Sequence, residues 1–228
     1  MPQRIPATER YSWPTIPDLC DKILPISAQL AKAKNLNLQL TVHTAESDEI
    51  YHSVLSGVDS LGVVFFSTRV QSPELRFTPL FEDEYVLCVG PQSPYWEAES
   101  ITIAEAMQQP YITYRDEFIK NNGGVSDVFK GMTPNIVLRT DDIESIKKLI
   151  SHDNYVAFFH RHMNSDDIYR TSGAIRAIPI SDYDTSMQIG YIESTKYKLS
   201  NADRAFLEIL KAAVRHSLQD ESFAASDQ

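Results

Sequence analysis

The stretch "SVLSGVDSLGVVFF", Ser53 to Phe66, constrains the fold of this chain more than any other. Leu61 to Phe66 contains no polar side chain and no period-two alternation, so a strand there must be covered on both faces. A parallel or mixed sheet with helices packed on both sides meets that demand; a sheet with one solvated face does not. Just upstream, Ile50, Tyr51, Val54 and Leu55 make one helical stripe. Ser47, Asp48 and Glu49 open it with a cap and two negative charges, which suit unsatisfied N–H groups. Gly57 supplies the left-handed residue that closes such a helix. The corner from Gly57 to Asp59 is therefore read as scaffold.

The rest of the chain alternates helix-like and strand-like stretches, which points to an α/β fold. In "DKILPISAQLAKAKN", Ile23, Ile26 and Leu30 predict a first helix, entered from Ser12 to Asp18, with Pro25 placed in its first turn. "LNLQLTVHT" alternates Leu36, Leu38, Leu40 and Val42 against polar neighbours, a strand with one buried face. A strand from Tyr85 to Val89 is stopped by Gly90, Pro91 and Pro94. A short helix over Ile103 to Met107, the strand "YITY", a polar loop with Asn121 to Gly124 and the strand "NIVL" follow. The helix "DDIESIKKLIS" puts Ile143, Ile146, Leu149 and Ile150 on the core side, starts on Asp141 and Glu144, and offers a Glu144–Lys148 pair. After it come "YVAFF", strands near Ile175–Ile180 and Gln188–Glu193, and a closing helix. Ser200 caps that helix, and Phe206, Leu207, Leu210 and Val214 line its apolar face.

At 228 residues, 43% hydrophobic and 23% charged, the chain can bury a substantial core. Its net charge of -10 opposes non-specific attraction to nucleic acid and anionic membrane. No apolar run approaches the roughly 20 residues of a spanning helix, and the N-terminus has no signal-peptide h-region, so a cytoplasmic location is expected. Cys20 and Cys88 stand apart from any ligand or redox spacing. Phosphate-loop, nucleophile-elbow and zincin motifs are missing. His160 and His162, with Asp166 and Asp167 nearby, are read as a solvent-facing pair rather than a metal site. Asp141, Asp142 and Glu144 are read as a helix start, and Asp182 and Asp184 as turn residues. No catalytic residue, cofactor or metal is assigned.

The order of the segments carries more than any one of them. "SVLSGVDSLGVVFF", "TPLFEDEYVLCVGPQSPY", "ITIAEAMQQPYITY", "IVLRTDDIESIKKLISHDNYVAFF" and "IGYIESTKYKLSNADRAFLEIL" occur collinearly. The series, over about Arg10 to Val214, resembles the effector-binding (substrate-binding) domain of LysR-type transcriptional regulators. Gly57, Asp59 and Val63 match that family's helix-to-strand corner, and Pro79, Leu80, Glu84, Val86, Leu87 and Pro94 its "PLxxExxxLVxxxxHP" segment. Two departures stand out. Asp153-Asn154 replaces a glycine corner, with His160 where proline is common, and the family's N-terminal winged helix-turn-helix is missing from this sequence.

The resemblance implies two Rossmann-like subdomains of the type 2 periplasmic-binding-protein kind, joined by two crossover strands, with an effector cleft between them. Subdomain I would be residues 1–89 and 187–228 and subdomain II residues 90–186, with crossings near Val89–Pro91 and Asp184–Ile189. In such sheets ligands sit beyond the carboxyl ends of strands, near helix N-termini. Carried onto this sequence, that places Ser12 and Thr15 after the first strand and Ser67 and Thr68 after "GVVFF". Facing them would be Thr113, Tyr114, Arg115 and Thr140, with Trp13, Tyr114 and Phe159 as apolar walls. Capping explains a lone Ser or Thr as well as ligand binding does. The expected partners are a small-molecule effector, with a carboxylate suited to Arg115, a second copy of the chain in a homodimer or higher oligomer, and DNA only through the missing N-terminal domain. A solute receptor of the same fold and a biosynthetic enzyme are the alternative readings.

Overall fold

The computed structural model describes residues 9–34, 38–66, 72–114, 132–162 and 164–224. In chain order the elements are β1 (Glu9–Thr15), α1 (Pro17–Ala33), β2 (Leu38–Thr44), α2 (Ser47–Ser56), β3 (Leu61–Phe65), β4 (Leu75–Val89), α3 (Ile103–Gln108) and β5 (Tyr111–Tyr114). They continue with β6 (Ile136–Thr140), α4 (Ile143–His152), β7 (Val156–His160), α5 (Ile168–Thr171), β8 (Arg176–Ile178), β9 (Ser186–Ser194) and α6 (Asn201–Ala224). The chain divides into two compact units, Met1–Phe81 with Gln188–Gln228, and Glu82–Met187.

In the first unit β1 runs parallel to β2 over its whole length, from Glu9↔Leu38 to Thr15↔Thr44. It meets β3 only at Thr15↔Val63. Pro14 therefore sits where β3 has not yet joined, and its missing N–H costs no ladder bond on that side. Ser12 to Thr15 thus lie inside a strand, not in an approach to a helix. All five residues of β3 are buried, as the apolar run demands. The pairing is mixed, however, because β9 joins β3 antiparallel from Leu61↔Glu193 to Phe65↔Ile189.

Helix α1 starts on Pro17 at its first position, so Pro25 falls in the interior rather than the first turn. Its ring removes the bond to the Asp21 carbonyl. Helix α2 is capped by Glu46, whose backbone is extended, while Ser47 is already helical. The Glu49 carboxylate accepts from the Glu46 N–H at 3.2 Å. Gly57 closes α2 at φ 77°, and Val58 N–H reaches back to the Ser53 carbonyl at 3.0 Å. At the far end Ser200 and Asp203 cap α6 reciprocally, at 3.1 and 2.8 Å. Phe206, Leu207, Leu210 and Val214 are all buried, and Phe206 packs on Trp13 with ring centroids 4.5 Å apart.

In the second unit β4 pairs antiparallel with β7, from Tyr85↔His160 to Val89↔Val156, and with β8. Strand β5 lies parallel to both β6 and β7. β4 ends just before Gly90, where a Cβ would stand 1.9 Å from the Ile150 carbonyl oxygen, so only glycine fits. Helix α4 is capped by Asp142, not Asp141. The Asp142 carboxylate accepts from Glu144 N–H at 3.1 Å and from the Ser145 hydroxyl at 2.5 Å, and the Ser145 bond above all holds its carboxyl below the usual range. The buried face of α4 is Ile146, Lys147 and Ile150, while Ile143 and Leu149 are only half-buried. The ion pairs follow that rotation. Lys147, not Lys148, meets Glu144 at 3.4 Å, and its stronger partner is Asp167 at 2.5 Å.

His160 and His162 are buried, contrary to the solvent-facing expectation. β7 continues through His160 in register with Tyr85, whose ring lies 4.4 Å away. The His162 N–H donates to the buried Asp83 carboxylate at 2.9 Å.

Candidate functional site

Strand β1 ends at Thr15, and the next residues lead into α1. The Thr15 carbonyl accepts from Ala45 N–H at 3.0 Å, which brings the end of β2 and the first turn of α2 alongside. The Thr15 side chain is fully buried and its hydroxyl has no hydrogen-bond partner. Trp13 Nε1, on the same face of β1 two residues earlier, and the Ser47 hydroxyl at the start of α2 are likewise buried and unpaired. A buried hydroxyl or N–H with no partner costs about 1–3 kcal/mol, so the Thr15 hydroxyl at the end of β1 is a group a bound ligand could satisfy.

In the second unit the carboxyl ends of β5 and β6 lie side by side, with Thr113 opposite Arg139 and Tyr114 opposite Thr140. Thr113 is buried and Tyr114 half-buried. The Thr140 hydroxyl accepts from Asp142 N–H at 3.1 Å, a turn ahead of α4, so local structure engages it. Phe159 is buried in β7 opposite Val86. Trp13 carries the core contact with Phe206. Ser12 is inside β1, three residues before its end, which corrects its placement after the strand. Ser67, Thr68 and Arg115 lie outside the described residues.

Ser47 reads in the sequence as a helix cap, but Glu46 takes the cap and the Ser47 hydroxyl is left buried without a partner; the Glu46–Glu49 spacing was the signal for that. Among the described residues no group of three His, Cys, Asp or Glu side chains could hold a metal ion, and no described helix is long and apolar enough to cross a membrane. Burial pushes the Cys88 thiol up to about 12, which leaves it protonated and inert at neutral pH.

Residues 15–215 match the family profile of the LysR substrate binding domain. The chain belongs to that family. Its fold is that of LysR substrate-binding domains. The effector-binding domain of QuiR in complex with shikimate is 15% identical with a TM-score of 0.73, over 93% of this chain and 99% of that one. The BenM effector-binding domain with its effector benzoate is 13% identical with a TM-score of 0.69, over 94% of each chain. The C-terminal domain of a probable LysR family transcriptional regulator from Rhodococcus sp. RHA1 is 16% identical with a TM-score of 0.71, over 88% and 98%. No curated protein matches the chain in sequence. The LysR resemblance read from the collinear segments is borne out, and so is the α/β class of periplasmic-binding-protein type.

Proposed function

We propose that this LysR domain senses a small polar metabolite, which binds at the carboxyl end of β1 in the first unit. The observation that carries the reading is the Thr15 hydroxyl, fully buried and unpaired where β1 gives way to α1. Ser47 adds a second orphaned hydroxyl at the start of α2. Thr113, Tyr114, Ser67, Thr68 and Arg115 stay in the proposal on the family resemblance alone. The chain acts by binding, without turnover, in the cytoplasm and as a homodimer or larger assembly. Effector binding shifts the population of conformers, and DNA-binding domains outside this sequence read the shift.

A thermal-shift screen of hydroxylated and carboxylated metabolites tests this, because a ligand selective for the folded state raises the melting temperature. The expected outcome is a hit whose shift disappears in Thr15→Val, which keeps the shape and removes the hydroxyl. A hit untouched by that substitution, or product formation from it, refutes the reading.

A further inference from the structure

We infer that the effector is aromatic, and that its ring lies against the exposed ring of Phe66 at the end of β3. The inference rests on the effector-binding reading above and concerns the side of the sheet that α2 covers. Side chains alternate along β3, so Gly62 and Val64 share one face. It is the α2 face, because a Cβ on Gly62 would run into Ile50 Cγ2. Val64 is paired with Gly190 of β9, and directly paired residues share a face. Gly190 leaves that face bare for the Phe77 ring of β4, whose Cζ would stand 2.5 Å from a Cβ there. Phe66 continues the alternation, its N–H bonded to the Gln188 carbonyl at 2.8 Å, and its ring meets that of Phe77 with centroids 5.1 Å apart and planes at 58°. Phe77 is half-buried, whereas Phe66 is 40% exposed.

A lone exposed apolar side chain is ordinary, but the place of this one is not. The Tyr51 hydroxyl of α2 donates to the Phe65 carbonyl at 2.7 Å, which seats the first turns of α2 beside the end of β3. Ser47 stands one turn earlier on the same side of α2, and its hydroxyl has no partner. Phe66 thus shares one face of the sheet with a polar group open to a ligand, at the carboxyl end of a strand, where open α/β sheets take their ligands. The tilted contact with Phe77 uses one side of the Phe66 ring and leaves the rest for an offset or edge-to-face partner. An acyclic metabolite leaves that ring in water. A flat ring with an oxygen substituent covers it and keeps the oxygen for a hydroxyl of the site.

Probes with the same oxygens and different carbon frames decide it. Mandelate, hexahydromandelate and lactate share a hydroxy acid, and benzyl alcohol and cyclohexylmethanol share an alcohol; each is titrated against the chain by ligand-observed NMR. A cyclohexyl ring buries as much apolar surface as a phenyl ring, so hydrophobicity alone gives no preference between them. The expected result is that the aromatic member binds about tenfold more tightly than the saturated one. Phe66→Leu, which keeps the apolar bulk, should remove that preference, and Phe66→Trp should keep it. Equal binding of aromatic and saturated members, lost in Ser47→Ala or Thr15→Val, overturns the inference and leaves the site in place, as does lactate binding as tightly as mandelate. An aromatic preference that survives Phe66→Leu overturns it because the ring then binds elsewhere. A change of oligomeric state in Phe66→Leu with probe binding untouched overturns it in favour of a contact between copies. Silence from every probe at millimolar concentration overturns it too, and the metabolite screen then judges the site separately.

Discussion

Several single residues hold this domain to one geometry. Gly57 sits at φ 77°, and a Cβ there would lie 2.6 Å from the Tyr197 ring. Gly57→Ala should cost about 1–3 kcal/mol, from the left-handed backbone and the displaced ring together, read as a lower urea midpoint at unchanged slope. Lys147 is 3% exposed and bridges to Asp167, itself 13% exposed. Lys147→Met leaves that carboxylate buried without its cation, and truncating one partner of such a pair costs about 3–5 kcal/mol. Lys147→Met with Asp167→Leu should recover much of the loss, because the desolvation cost of both charges goes with them. Cys88 makes a pH-dependent contribution. Its pKa is raised by burial from 9.0 to about 12 in the folded protein, so the unfolded chain loses this proton first. The stability it contributes is complete below pH 9 and declines as pH rises from 9.0 toward 12. Denaturation midpoints should fall over that window, and fall less in Cys88→Ala. Iodoacetamide at pH 8 should leave Cys88 unlabelled in native protein by mass spectrometry, and label it after unfolding.

At the scale of elements, helix starts are where local chemistry decides most. Thr102 and Glu105 form a reciprocal box at α3, with bonds of 3.3 and 3.0 Å, and the Thr102 hydroxyl chiefly holds the Glu105 carboxyl below its usual range. Thr102→Ala should lower the melting temperature by about 2–4 °C, and Thr102→Ser should restore most of it. This box was readable from "TIAE", as was the Ser200 cap of α6. The elements that were misread share a cause. β1 was hidden because "YSWPTIP" has two prolines and reads as a loop, whereas a strand tolerates Pro14 when one neighbour joins only at Thr15. The exposed-looking His160 and His162 are buried because β7 runs one residue beyond "YVAFF" and the Asp83 carboxylate then holds the His162 backbone. Neither effect is local in sequence, since each depends on which strand lies alongside. The α4 face was off by part of a turn because Lys147 is buried against Asp167, twenty residues further along the chain, beyond β7 in sequence. Only the orphaned hydroxyls of Thr15 and Ser47 needed coordinates outright, because an unsatisfied atom has no sequence signature.

At the scale of the whole molecule, what decides behaviour is the sum of charges and not any one contact. Affinity for duplex DNA without sequence preference comes from cations that neutralise phosphates and release counterions. Against 31 acidic residues this chain has 21 Lys and Arg, and several of those cations are already committed within the fold. Arg76 pairs with Glu193, Arg161 with Glu84, Lys147 with Asp167 and Lys196 with Glu74. The net charge of -10 and these committed cations therefore oppose sequence-independent binding of duplex DNA by this chain. In a gel-shift titration with random-sequence duplex at about 50 mM salt, where electrostatic binding is strongest, the chain should leave the duplex unshifted at micromolar concentration. Fusing a basic winged-helix domain to its N-terminus should create binding that weakens steeply with salt. Retardation by the chain alone that likewise weakens with salt would mean its cations gather into a surface able to overcome the net charge, and would make DNA a direct partner of the sensor itself.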